Sequence, residues 1–191
     1  MENKLHPAKN TGPLAGFKTM LKIEGSRWLS PKTILTQSIA WIFATQFAVI
    51  MVLIIIPATD ASAAMSVSLD MAIPIFIGIL SQVVAIGAVI VMQSVLVGEK
   101  QSGTAAWILT NPITRVSYIL SKLVANTLGI MFMTIILQGA IGYGILSYAL
   151  GYMLPIRAFL VSMGLQTLHM LFYITLSLAL GSFFNSRGPI L

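Results

Sequence analysis

Four stretches of this 191-residue chain are free of Asp, Glu, Lys and Arg for longer than a lipid hydrocarbon core is thick; they cover about 36–57, 72–97, 123–150 and 158–181. Each exceeds the roughly 20 residues an α-helix needs to cross about 30 Å of hydrocarbon. Lipid offers the backbone no hydrogen bonds, so a spanning segment is a helix or a strand of a closed barrel. The length of these stretches and their lack of alternation exclude strands. The expected fold is all-α: a polytopic bundle of four transmembrane helices. The second and third stretches are several residues too long, so they should tilt or protrude.

Charge is scarce, at 8% of residues against 57% hydrophobic. A soluble domain so composed would expose large apolar patches. The net charge of +6 does not indicate nucleic acid, because its distribution follows the positive-inside rule. With four crossings, Lys4, Lys9, Lys18, Lys22, Arg27, Lys32, Lys100, Arg115, Lys122 and Arg187 fall on one side and Arg157 alone on the other. Both termini are therefore expected in the cytoplasm of a plasma-membrane protein. Cysteine is absent, which removes disulfides and thiolate sites.

Residues 1–35 are expected to form a cytoplasmic leader ahead of a transmembrane domain at 36–191. Within the leader, Leu14, Phe17, Leu21, Gly25 and Trp28 recur at spacings of three and four, with Lys18, Lys22 and Arg27 between them. This pattern predicts an amphipathic helix lying in the headgroup layer. Ser30-Pro31 should end it.

Within the spans, chemistry is sparse. Buried charge, the usual mark of ion-coupled transport, is missing. His169 is isolated and reads as a hydrogen-bonded packing residue. Gln82, Gln93, Gln138 and Gln166 face a neighbouring helix or a pathway. Gly78, Ser81, Ala85 and Ala88, and the pair Ala140 and Gly144, read as small-residue helix contacts. No phosphate loop, nucleophile elbow or H-E-x-x-H motif occurs, so no catalytic or metal-binding residue is assigned, and any ATP must be bound by another chain.

The loop at 98–122 gathers Glu99, Lys100, Arg115 and Lys122. Gly103-Thr104 looks like a helix start, with Thr104 as N-cap. Ala105 to Leu109 would form one or two turns, including Trp107 and Ile108, and Asn111-Pro112 would stop them. Lys122 would mark return to the membrane at the interface. A short helix between two breaks suits a groove in a soluble partner, although the same pattern suits an ordinary linker.

Glu99, Gly103-Thr104, Leu109, Pro112, Arg115 and Lys122 resemble the E-x-x-x-G-T … L-x-x-P-x-x-R … K pattern of ABC-2-type transporter permeases. Asn185 to Pro189 resembles the loop before that family's fifth helix. The resemblance implies that the loop holds a coupling helix contacting an ATPase subunit, with Glu99 accepting from it and Trp107, Ile108 and Leu109 as the apolar plug. Arg115 and Lys122 would hold the loop at the headgroups, and the basic leader helix would be the family's elbow helix. It also implies a second permease copy or related permease as partner, ATP-Mg on the ATPase with no cofactor on this chain, and export. Family members have six membrane helices, so a chain with four reads as truncated after the fourth. A membrane anchor or assembly subunit without a pathway is the alternative class.

Overall fold

The computed structural model describes residues 12–59 and 68–183. They form α1 (Phe17–Trp28), α2 (Pro31–Thr59), α3 (Leu69–Gln101), α4 (Thr104–Leu109), α5 (Arg115–Leu150) and α6 (Ile156–Phe183). The chain is an all-α polytopic membrane protein, with α2, α3, α5 and α6 each long and apolar enough to cross a bilayer. The resemblance at Asn185 to Pro189 lies outside the described residues.

Local sequence sets the breaks. Pro31 occupies the first turn of α2, where its fixed φ suits a helix and its missing N–H costs nothing. α2, α3 and α6 extend past their apolar stretches at both ends, and α5 at its N-terminal end. At about 1.5 Å per residue, the 33 residues of α3 and 36 of α5 span about 50 and 54 Å. Both exceed the hydrocarbon core, and their surplus turns meet at the end that carries α4. Two π-helical segments interrupt the crossings, at Met51–Ile55 in α2 and Met131–Ile136 in α5.

The core runs along α3. Ala72, Phe76, Leu80, Val84, Ala88, Met92 and Leu96 recur every four residues and are almost wholly buried. They form a single ridge packed against Phe159, Met163, Met170, Ile174 and Leu178 of α6, Val49 and Leu53 of α2, and Ile130 and Leu146 of α5. The expected small residues divide. Ala88 is buried in the ridge and Ser81 meets Gln166, whereas Gly78, Ala140 and Gly144 are exposed. Close approaches fall at other glycines, among them Gly87 against Trp41 and Gly142 against the Phe76 ring.

Polar groups inside the bundle join helices in pairs. Gln46 Nε2 donates to the carbonyl and to Oε1 of Gln138, both at 3.0 Å. Gln138 Nε2 reaches the Met133 carbonyl at 3.3 Å, within the π-segment. Ser81 Oγ donates to Gln166 Oε1 at 2.8 Å, whereas Gln82 is exposed. His169 departs from expectation. Its ring stacks on Tyr173 at 4.9 Å, and its Nε2 has no hydrogen-bond partner among the described residues.

Candidate functional site

The leader helix packs against α5. It runs parallel to the start of α5 at a nearly constant offset. Thr114 Oγ1 donates to the Pro13 carbonyl at 2.6 Å, Lys122 Nζ to Glu24 Oε1 at 2.6 Å, and Trp28 Nε1 to Asn126 Oδ1 at 3.1 Å. These partners lie 101, 98 and 98 residues apart in sequence. Glu24 and Trp28 are one turn apart on α1, as Lys122 and Asn126 are on α5, so the two helices match turn for turn. Asn126 also donates to the Lys122 carbonyl at 2.8 Å. Close approach depends on Gly129, where a β-carbon would fall inside the Trp28 indole.

A compact ion cluster sits at this contact. Lys122 is fully buried, and its Nζ lies 2.6 Å from Glu24 Oε1 and 2.7 Å from Glu99 Oε1. Arg27 Nη1 completes it, 3.4 Å from Glu24 Oε2 and 3.7 Å from Glu99 Oε1. Tyr118 donates its hydroxyl to Glu99 Oε2 at 2.8 Å, and Lys122 Nζ lies 4.9 Å from the Tyr118 ring centroid. Two cations face two carboxylates, so the desolvated charge is balanced within the cluster. That balance is what makes burial tolerable, because a buried charge without a partner is strongly destabilising.

Two expected site residues have partners inside the chain. The Lys122 ammonium points into the contact of α1, α3 and α5. Both carboxylate oxygens of Glu99 are engaged there as well. One expectation is corrected, at α4. Its N-cap is Gly103, at φ 73°, a left-handed conformation that glycine adopts without a β-carbon penalty. Thr104 is instead the first helical residue, and its hydroxyl pairs with Ser102 Oγ at 2.8 Å.

The cluster and the loop ends anchor α4 from both sides. Glu99 ties the end of α3 to α1. At the far end, Thr114 N donates to the Ala15 carbonyl at 3.3 Å, and Ile113 packs over Gly16. Thr114 also caps α5 by accepting from Ser117 N at 3.1 Å. Between these anchors a cleft of about 570 Å3 opens between α1 and α4, lined by Met20, Ile23, Arg27, Trp107, Ile108 and Pro112 among others. Trp107 is 70% exposed and Leu109 38%. Ile108 is half-buried, while Pro112 and Arg115 are exposed. On α1, Phe17, Leu21 and Trp28 are half-buried, and Lys18 and Lys22 are exposed.

The leader stripe identified from sequence is therefore one of two working faces. Met20 and Glu24 form the other, the most buried part of α1. Glu24 and Tyr118 were not singled out by sequence reasoning. The available signal was Glu24 itself, an acid four residues from Met20 and from Trp28 inside a basic amphipathic segment.

Comparison with known proteins identifies the family. A family model described as ABC-2 family transporter protein matches residues 32–188. The "Uncharacterized transmembrane protein YxlG" of Bacillus subtilis (strain 168) is 31% identical over 121 residues, which cover 60% of this chain and 45% of that protein. The chain thus spans less than half the length of that relative. No solved structure matches at a significant level. With the family model covering most of the chain, this protein belongs to the ABC-2 family of transporter membrane proteins.

Proposed function

We propose that this chain acts as the permease subunit of an ATP-driven transporter, with α4 as the coupling helix received by a separate ATPase subunit. The observation that carries the reading is the contrast within one short segment. Trp107 is 70% exposed, yet it sits on a helix whose flanks are fixed to α1, α3 and α5 through Glu99 and Thr114. A large exposed apolar side chain on a fixed mount suits a partner's groove. A freely moving linker would need no such anchoring.

In this reading both termini are cytoplasmic, ATP-Mg is bound by the ATPase, and a second permease copy or a related permease completes the pathway. Transport is outward, as the resemblance to ABC-2-type permeases implies. Closure of the ATPase subunits would move α4, and the ion cluster would pass that movement to α1, α3 and α5 as one body. Glu99 works inside the chain in this scheme, joining the plug to the membrane helices.

The test is recovery of a co-expressed ATPase subunit with this permease. Two apolar anchors each contribute about 2 kcal/mol or more, so Trp107→Ala with Leu109→Ala should lower ATPase affinity about 30-fold or more. Equal recovery by wild type and the double variant would make the loop a linker and favour an anchor subunit without a pathway.

A further inference from the structure

On the side of α1 away from the cleft lies a second opening, a groove of about 440 Å3 between α1, α2 and α5. Its walls are apolar: Leu21, Gly25 and Trp28 from α1, Ile34 from α2, and Leu128 and Phe132 from α5 are among them. Because α1 and α5 run parallel, the groove has direction. Leu21 lies at the end near the ion cluster, and Phe132 lies well inside the apolar part of α5.

Charge is arranged along the same axis. Lys18 and Lys22 are exposed and lie one turn apart at the Leu21 end. At roughly 3.6 residues per turn they border the Leu21–Gly25 stripe on one side. Glu24, the sole acid between Gly12 and Leu35, is buried and engaged by Lys122 and Arg27. Lys18 and Lys22 thus stand beside the Leu21 end of the groove rather than in its walls, with no hydrogen-bond or ion-pair partner among the described residues, and the lining beyond is hydrocarbon. The groove is open at Gly25, where nothing lies within 4 Å of the position a β-carbon would take.

We infer that this groove is a binding site for one anionic phospholipid, its phosphate held by Lys18 and Lys22 and an acyl chain lying along Gly25 and Trp28 towards Phe132. Basic pockets between membrane helices select anionic headgroups in this way, and long lysine side chains reach the headgroup layer while their stems cover apolar surface. The inference rests on the membrane placement of the chain and not on its partnership with an ATPase.

Trp28 lines the groove and can report its occupant. The full chain carrying Trp41→Phe and Trp107→Phe has Trp28 as its only indole. It is reconstituted into vesicles of phosphatidylcholine and phosphatidylglycerol, with either lipid brominated on its acyl chains. Competition between the two for quenching of Trp28 gives their relative affinity. The expected result is a preference of about tenfold for phosphatidylglycerol, falling as salt is raised. A single indole placed at the exposed position of Phe172 should show a ratio near one. Lys18→Gln with Lys22→Gln should bring the Trp28 ratio close to one, and Gly25→Phe should reduce quenching by both lipids. Circular dichroism checks that each variant is helical. If Gly25→Phe fails to insert, the lysine variant decides. A Trp28 ratio near one in the parent, or a preference unchanged by removing both lysines, would overturn the proposal. So would quenching that disappears as the protein-to-lipid ratio rises, because a second copy of the chain would then be covering the groove. None of these readings depends on ATPase binding, so the lipid site and the permease reading fail separately.

Discussion

Lys122 Nζ stands 2.6 Å from Glu24 Oε1 although the two residues are 98 apart in sequence, and this contact ties α1 to the third crossing. Neither group is accessible to solvent to any useful extent. The pair works because Glu99 and Arg27 complete it, so that no charge is left alone.

Removing the lysine should release α1. Lys122→Met leaves Glu24 and Glu99 facing only Arg27, and breaking a buried pair in this way costs about 3–5 kcal/mol. Met20, 3% exposed on α1, becomes the reporter when changed to Cys, since the chain has no other thiol. Maleimide labelling at position 20 should accelerate at least tenfold in Lys122→Met and little in Lys122→Arg. Unchanged labelling in Lys122→Met would mean that packing along Trp28 and Gly129 holds α1 without the ions.

Orientation gives a second prediction. Ala105→Cys on α4 should be protected from an impermeant thiol reagent in intact cells and labelled after lysis. Met153→Cys, at a residue 75% exposed between α5 and α6, should be labelled in intact cells. Labelling of position 105 from outside would invert the topology and remove any role for α4 with a cytoplasmic ATPase.

The glutamine pair inside the bundle is the third. Gln138→Leu removes the Oε1 that Gln46 meets at 3.0 Å but leaves the backbone carbonyl that the same amide reaches. Gln46 keeps one acceptor, so the expected loss is one interhelical hydrogen bond, about 0.6 kcal/mol, together with the longer bond from Gln138 Nε2 to the Met133 carbonyl. Gln46→Leu loses both interhelical bonds and should cost more. Denaturation in mixed micelles measures the two, and equal losses would show that the carbonyl contact contributes no more than the Met133 bond.

Legibility in the sequence followed the strength of the constraint. The four crossings were readable because lipid leaves a long uncharged segment few alternatives. The helix start at Gly103 was readable from glycine next to a short apolar run, but which residue caps it was not. Thr104 has the right side chain, yet the turn needs a left-handed residue there and only its neighbour is suited to that. The burial of Lys122 was not readable, because a lysine at the edge of an apolar span usually reaches the headgroups. Its burial depends on two carboxylates that come from other helices, and no local pattern announces such a meeting. The face α1 turns to the protein was obscured for the same reason. Glu24 looks like an interruption of an amphipathic stripe until its partner on α5 is known.

The nearly constant offset between α1 and α5 also sets an order of events during synthesis. At about 5–20 residues per second, the ribosome makes Glu24 on the order of 5–20 s before Lys122. Throughout that interval α1 has its final sequence but no surface to dock on, and two crossings must be placed before one appears. Arg27, three residues along the same helix, is the one cation of the mature cluster already present to face Glu24. The helix made first is thus the one whose docking comes late, and Arg27 serves as its interim counterion until α5 arrives.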